Sequence, residues 1–450
     1  PILVATAHGA AWIPAHSNRA QRVTTPRTAT LHTAARALAM SAADAKKVLV
    51  LISDTGGGHR ASAQAIEAEF AEMSPELQVS VVDMWTDHTP WPYNRFVAGY
   101  KFTAKNPPIW WLVYFSTAIK PFYDLLTAFG MAVGCYAGIR GLIEQEDADL
   151  VVSMHPLCQD IPLKVLNDLS AERGGARTPF ATVVTDLGSA HPTWFHSGVD
   201  ACFVPSDAVR DIALGNEVSA GQLRQHGLPV RKDFYTPSAE PRDALLARLG
   251  LLAERKTVLL VGGGDGVGSL GDIVDAMAAQ LGAAFRDQAQ LVVVCGKNAK
   301  LRQQLQSRSY DGVRVQVEGF VSNMPEWMEA ADCLVTKAGP GTIAEAAIRG
   351  LPTMLSSFLP GQEAGNVPFV TERGFGAFSG DPEEIAQTVC SWLQQPAVLE
   401  EMSARARAAG VCIASFCGYD CVPCELGLYL VRQALGTPLS FAESVLVMPP

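Results

Sequence analysis

Charge is scarce in this 450-residue chain: Asp, Glu, Lys and Arg make up 18% of it and leave a formal net charge of −10. That balance argues against a nucleic-acid partner held by a broad basic face, because phosphate contacts need clustered Lys and Arg. Acidic residues are missing before Asp44, whereas Arg19, Arg22, Arg27 and Arg36 lie there among many Ala, Ser and Thr residues. Residues 1–43 therefore read as an organelle transit segment, which pairs positive charge with a lack of Asp and Glu; an unstructured extension is the alternative. They lack the compact apolar core and small-residue cleavage site of a secretory signal. No run of about 20 apolar residues is free of charge, which excludes a simple spanning helix. The nearest approach, residues 109–139, is broken by Lys120, Pro121 and Asp124 and suits a segment lying on a membrane. Ten cysteines supply no evident disulfide framework: Cys202, Cys295 and Cys333 sit in apolar runs as small hydrophobes.

What is abundant is apolar sequence, 48% of the chain, with a mean hydropathy of +0.14. The length predicts two domains of about 200 residues each. Short β-branched runs alternate with helical patterns on both sides of a charged stretch at residues 242–256. KKVLVLIS, QVSVVDM, ADLVVSMH, PFATVVTD and ACFVPS read as strands in the first half; TVLLVGGG, LVVVCG, VRVQVEGF, CLVTKAG and PTMLSS follow in the second. Such alternation implies parallel sheets built from right-handed βαβ units. The fold expected is α/β, with two facing Rossmann-like domains at 44–240 and 241–410 and a cleft between them. A ligand would bind outside the carboxyl ends of the strands.

Three glycine turns lie at such ends. SDTGGGHR, residues 53–60, follows the first strand and opens a helix. Glycine lets backbone approach a bound group, and a helix N-terminus favours an anion. His59 stands on this turn, either as a catalytic group or as a histidine bonded locally. VGGGDG, residues 261–266, repeats the arrangement in the second half. KAGPGTIAE, residues 337–345, places Glu345 near the first turn of the next helix. There it could accept both hydroxyls of a ribose or merely offset the helix dipole. PGQEAGN, residues 360–366, is a polar loop at a strand's carboxyl end, fit for a site or for a solvated turn.

Together SDTGGGHRASAQAI, DHTPWPYN, TDLGSAHPTWFH, GLPVRKDF, EGFVSNMPEWM, TKAGPGTIAEAAIRGLP and PGQEAGNVPFV resemble, in order, the monogalactosyldiacylglycerol synthases of plants and algae. That family is in turn similar to the bacterial enzyme that adds N-acetylglucosamine to the peptidoglycan precursor. The resemblance covers residues 47–403 and implies a GT-B glycosyltransferase with the acceptor on the first domain and the donor on the second. It implies transfer of galactose from UDP-galactose to diacylglycerol with inversion. His59 would be the general base, and an unperturbed histidine pKa near 6.5 would suit that role. Gly57, Gly58 and Arg231 would hold the diphosphate. Gly263, Gly264 and Val321 would lie on the uracil side. Pro340, Gly341, Thr342, Ile343, Ala344 and Glu345 would hold diphosphate and ribose, and Gln362, Glu363 and Asn366 would read the sugar. No Asp-x-Asp motif stands at a strand end, so no metal or other cofactor is expected, and UDP would leave against dipoles, N–H groups and Arg231.

Pro92, with Trp91 beside it, and Trp194 match positions linked in the family to an anionic lipid activator, phosphatidic acid or phosphatidylglycerol. Independently, Trp85, Trp91, Trp110, Trp111 and Trp194 with Lys101, Lys105 and Lys120 form an aromatic and basic mixture suited to a membrane interface, or else ordinary core aromatics. The resemblance implies peripheral attachment to the chloroplast envelope and leaves room for a homodimer. Residues 411–450 depart from the family. Cys412, Cys417, Cys421 and Cys424 could bind a metal or cluster, although their spacing matches no established pattern, and CGYDCVPCELGLYLV weakly resembles saccharopine-dehydrogenase-like oxidoreductases. A gene-model junction is the preferred reading of this tail, and it puts the closing of the two domains in doubt. Three other functions remain open: a lipid or polyprenyl transferase with a different sugar, a UDP-sugar epimerase of the same fold, and a non-catalytic membrane-associated binding protein.

Overall fold

The structure is a computed structural model and describes residues 46–73, 75–262 and 270–414. The expected transit segment, Gly263, Gly264 and the tail cysteines Cys417, Cys421 and Cys424 lie outside the described residues. So do the side chains beyond residue 409, that of Cys412 included.

Two six-stranded parallel sheets carry the architecture. The first contains β1 (Lys47–Ile52), β2 (Gln78–Asp83), β3 (Leu150–Ser153), β4 (Phe180–Val183), β5 (Ala201–Val204) and β6 (Leu223–Gln225). Its strand order is β2-β1-β3-β4-β5-β6. The second contains β7 (Lys256–Val261), β8 (Ala289–Val294), β9 (Arg314–Glu318), β10 (Cys333–Lys337), β11 (Thr353–Ser357) and β12 (Gly376–Phe378). Its order is β12-β11-β10-β7-β8-β9, the dinucleotide-fold order read from the other edge. Every residue of β3, β4 and β8 is buried, as parallel sheets covered by helices on both faces require. The core clusters follow from this: side chains pointing alternately up and down pack under separate helix layers. One cluster crosses between the halves. Leu187, Leu228, Val230 and Phe234 from the first half join Leu259, Leu334, Ile343 and Leu355 from the second.

Ten strands match the sequence reading; β6 and β12 escape it. Both are three-residue edge strands, and Leu-Arg-Gln and Gly-Ala-Phe carry no β-branched residue or alternation. Between β2 and β3 the chain builds a helical arm: Phe96–Ala104, Pro107–Thr117, Lys120–Ala132 and Cys135–Glu146. Among the described residues no single helix is long and apolar enough to cross a membrane; the pair Lys120–Ala132 and Cys135–Glu146 meets the length and composition together but is bent by 71°. The last described helix, Pro396–Ala414, packs on the helix Pro340–Arg349 and buries Met402 and Ala406.

Candidate active site

In the first sheet the strand order reverses between β1 and β3, which is where an open α/β sheet binds its ligand. Both strands end there in a histidine-bearing turn. His59 lies three residues into the helix Gly57–Met73, and His155 follows β3. Their rings meet edge to face with centroids 4.9 Å apart. His59 Nδ1 is 2.9 Å from the Thr185 hydroxyl, and the Trp194 ring lies 6.0 Å away. His155 Nδ1 accepts the Leu157 amide at 3.2 Å. Its proton therefore sits on Nε2, which faces the Thr55 hydroxyl at 3.3 Å. Ser53 Oγ, at the end of β1, is buried with no protein partner.

Burial changes the chemistry expected of His59. Loss of water pushes its pKa from 6.5 down to about 4, against a backbone hydrogen bond with Met154 and the Asp54 carboxylate, which both raise it. His155 is driven well below its ordinary value for the same reason, with His59 adding to the effect. The expectation of an unperturbed imidazole is thus corrected: burial holds His59 neutral and makes it weakly basic. His155 was missed in the sequence, where it closes the run ADLVVSMH; its place at the end of a strand beside β1 was the available signal.

The glycines around His59 face open space. A Cβ built on Gly56, Gly57 or Gly58 would meet nothing within 4 Å, so the protein's own packing does not demand glycine there. Asp54 braces the turn, accepting from Arg60 Nε at 2.6 Å and Nη2 at 2.7 Å. On the other side of the cleft the helix Pro340–Arg349 begins at Pro340 behind Gly339, and Gly341 also faces open space. Glu345 is the sixth residue of this helix, in the second turn rather than near the first, which weakens the dipole-offset reading. It is half-buried. Burial nonetheless pushes its carboxyl up to about 8, against the charge of Arg231, which lowers it. Arg231 therefore lies within electrostatic reach of Glu345, and its guanidinium covers the Phe234 ring at 5.2 Å. Val321 is partly buried against the shared core, next to Phe320, which is 69% exposed.

The loop after β11 bridges the two halves. Asn366 is fully buried: its Oδ1 accepts the Gly188 amide at 2.7 Å and its Nδ2 donates to the Ala338 carbonyl at 2.8 Å. The first of these bonds joins the two halves, and the second anchors Asn366 within its own half. Glu363 is buried, pairs with Lys337 and caps the Leu359 amide at 2.8 Å. Gln362 is more open, and its carbonyl accepts from the Ser189 hydroxyl at 3.0 Å. Gly188 and Gly365 touch backbone to backbone; a Cβ on Gly188 would lie 2.0 Å from the Gly365 oxygen. Across this contact sits Asp186, which the sequence reading did not single out. Its Oδ2 accepts the Trp194 indole N–H at 2.7 Å. Burial pushes its carboxyl up to about 7; the Trp194 bond lowers it, Glu363 raises it, and a Gln362 hydrogen bond lowers it.

The aromatic reading needs division. Trp85, Trp110 and Trp194 are buried, Trp194 completely, whereas Trp91 is 77% and Trp111 56% exposed. Pro92 is exposed beside Trp91. Trp194 lies in the core near His59 and not on the outer surface. Lys120 is engaged by Asp124 at 3.1 Å. Among the described residues no group of His, Cys, Asp and Glu side chains is arranged to hold a metal.

Residues 59–230 match the family model of monogalactosyldiacylglycerol synthase, and residues 257–363 match the glycosyltransferase family 28 C-terminal domain. A probable chloroplastic monogalactosyldiacylglycerol synthase of Glycine max is 44% identical over 80% of this chain and 68% of its own length. The chloroplastic synthase of Spinacia oleracea is 43% identical over 77% and 66%, and synthase 2 of Arabidopsis thaliana is 41% identical over 80% and 77%. The chain belongs to the monogalactosyldiacylglycerol synthase family. It spans about two thirds of the length of the soybean and spinach relatives. Among solved structures, Acinetobacter baumannii MurG aligns with a TM-score of 0.52 at 16% identity, covering 86% of this chain and 99% of that one. S. aureus MnaA with UDP aligns at 0.55 and 13%, covering 87% and 97%. These likenesses concern the fold, which is the GT-B arrangement of two Rossmann-like halves. For this family member, then, the His59 turn lies in the part matched to the synthase model, and residues 340–363 lie in the part matched to the transferase model.

Proposed function

We propose that the chain transfers galactose from UDP-galactose to 1,2-diacylglycerol at a membrane surface, with inversion at the anomeric carbon. The observation that carries this reading is the placing of a bare apolar surface in the same half as the His59 site. Trp91, Phe102, Trp111, Leu112, Leu125 and Phe129 of the arm are all more than half exposed. So many exposed large apolar side chains mark an interaction site, and a lipid acceptor has to be met at the bilayer. Exposed Lys101 and Lys105 on the same arm favour an anionic leaflet, phosphatidic acid or phosphatidylglycerol, over a neutral one. Pro92 and Trp91 belong to that surface; Trp194 acts from within, through Asp186. The relatives named chloroplastic support residence in the chloroplast, and the arm supports peripheral attachment to its envelope.

In this mechanism the neutral imidazole of His59 takes the proton from the acceptor hydroxyl as its oxygen bonds to the anomeric carbon, and the bond to UDP breaks on the opposite face. The anionic diphosphate, once bound, raises the imidazole pKa toward the working range. Open glycine floors at Gly57, Gly58 and Gly341 let backbone N–H groups at two helix starts approach the diphosphate. Arg231 would stabilise the departing charge, and Glu345 would accept from the ribose. The test is incubation of the purified protein with labelled UDP-galactose or UDP-glucose and diacylglycerol in anionic vesicles. Label in a galactolipid supports the reading; label from UDP-glucose alone, or none in lipid, overturns it.

A further inference from the structure

The helix Pro107–Thr117 has two unlike faces. Trp111, Leu112 and Phe115 are exposed, whereas Trp110 is its one buried residue. The inner face grips the loop after β11. Trp110 Nε1–H donates to the Pro360 carbonyl at 2.7 Å. The Tyr114 ring lies so close to Gly361, which has φ +81°, that a Cβ there would come within 2.5 Å of it. From the preceding helix the Tyr100 hydroxyl donates to Gln362 Oε1 at 3.3 Å, and its ring stands edge-on to Trp110 at 5.3 Å. Three successive loop residues, 360–362, are therefore held by two neighbouring helices of the arm. Behind it, the Tyr114 carbonyl is 3.0 Å from His191 Nε2, which ties the same helix to the stretch bearing Asp186 and Trp194.

A helix with one buried side chain is weakly fixed by its own packing. Seating its outer face in a bilayer would restrict it, and the restriction would pass to the loop through the inner face. We infer that Trp110 and Tyr114 are positioning residues for the donor-side loop, and that docking of the arm on a bilayer raises affinity for the donor through them. This rests on the proposed roles of the arm and the loop. Linkage then requires the reciprocal effect: bound donor tightens vesicle binding by the same factor.

Trp110→Phe isolates the contact, since it keeps an aromatic ring and removes the N–H. In wild-type protein, vesicles of phosphatidylcholine with phosphatidylglycerol should tighten UDP-galactose binding roughly three- to tenfold, the range of one hydrogen bond's net worth. In Trp110→Phe that enhancement should vanish and amides of residues 359–366 should exchange several-fold faster, while flotation on the vesicles is unchanged. Trp111→Ala should do the opposite, weakening flotation and leaving lipid-free donor affinity intact. Equal exchange and an undiminished vesicle effect in Trp110→Phe overturn the inference. Donor binding with the expected linkage but no lipid product would overturn the acceptor reading instead and leave the coupling standing.

Discussion

His59→Gln separates a buried neutral imidazole from an ordinary surface histidine. Burial holds the His59 pKa at about 4, against 6.5 in the unfolded chain. Between those values the unfolded state binds more protons than the native state, so stability rises with pH across the window and is lost as pH falls from 6.5 toward 4. Each pH unit of that displacement is worth about 1.4 kcal/mol, so the window is worth about 3 kcal/mol at most. His155 is displaced in the same direction and keeps part of the slope in the variant. Urea unfolding followed by tryptophan fluorescence from pH 4.5 to 7 should therefore give a shallower pH dependence for His59→Gln than for wild type. Activity supplies the second half of the test. Because kcat/KM reports the free enzyme, its pH profile should have no His59 inflection near 6.5. Loss of a general base should lower kcat by about 10²–10⁴-fold, with UDP affinity changed by no more than a few-fold. Parallel unfolding curves would refute the neutral imidazole, and substantial remaining kcat would refute its role as base.

Glu345→Ala should weaken UDP binding roughly ten- to a hundredfold by calorimetry, the loss expected of a charge-assisted hydrogen bond; unchanged affinity removes the ribose assignment. Because the free carboxyl sits at about 8 and must shed its proton to accept both hydroxyls, UDP affinity should rise from pH 6 to 8. Glu345→Gln should flatten that rise. Gly188→Ala would place a Cβ 2.0 Å from the Gly365 oxygen, so it should cost about 1–3 kcal/mol as overpacking and raise the donor KM; a wild-type melting temperature and KM would contradict the interdomain contact. Replacing exposed Trp91 and Trp111 together by Ala should reduce both flotation on anionic vesicles and lipid galactosylation, and wild-type flotation should weaken with salt. Normal flotation by the double variant would move the membrane contact elsewhere.

Most of the fold could be read from apolar runs, because buried parallel strands are continuous stretches of Val, Leu and Ile, as in KVLVLI and AQLVVV. The edge strands β6 and β12 could not, since their pairing depends on the neighbours β5 and β11 and not on their own three residues. In the site, the glycine turns and His59 stood out because they interrupt the pattern at strand ends. Their electrostatics did not: the depressed His59 pKa comes from enclosure, which no spacing reveals. Tryptophan was the least legible residue. Trp110 and Trp111 are adjacent in sequence, yet one donates to Pro360 and the other faces outward, because successive residues on a helix point about 100° apart.

That divergence bears on how the halves cooperate. The loop after β11 is held through three kinds of contact to the first half: Asn366 on the Gly188 amide, Gln362 on Ser189, and residues 360–362 on the arm. None of these contacts touches His59, and the first two fall on the segment from Asp186 to Trp194 that runs beside it. Asp186 is the junction: it holds Trp194, hydrogen-bonds Gln362 and lies within the field of Glu363, with burial raising its carboxyl pKa. A donor hydroxyl entering this junction would exchange hydrogen bonds already present. Under the proposed mechanism the loop would meet a sugar with the contact between the halves already made, and His59 would stay beside Thr185 and His155.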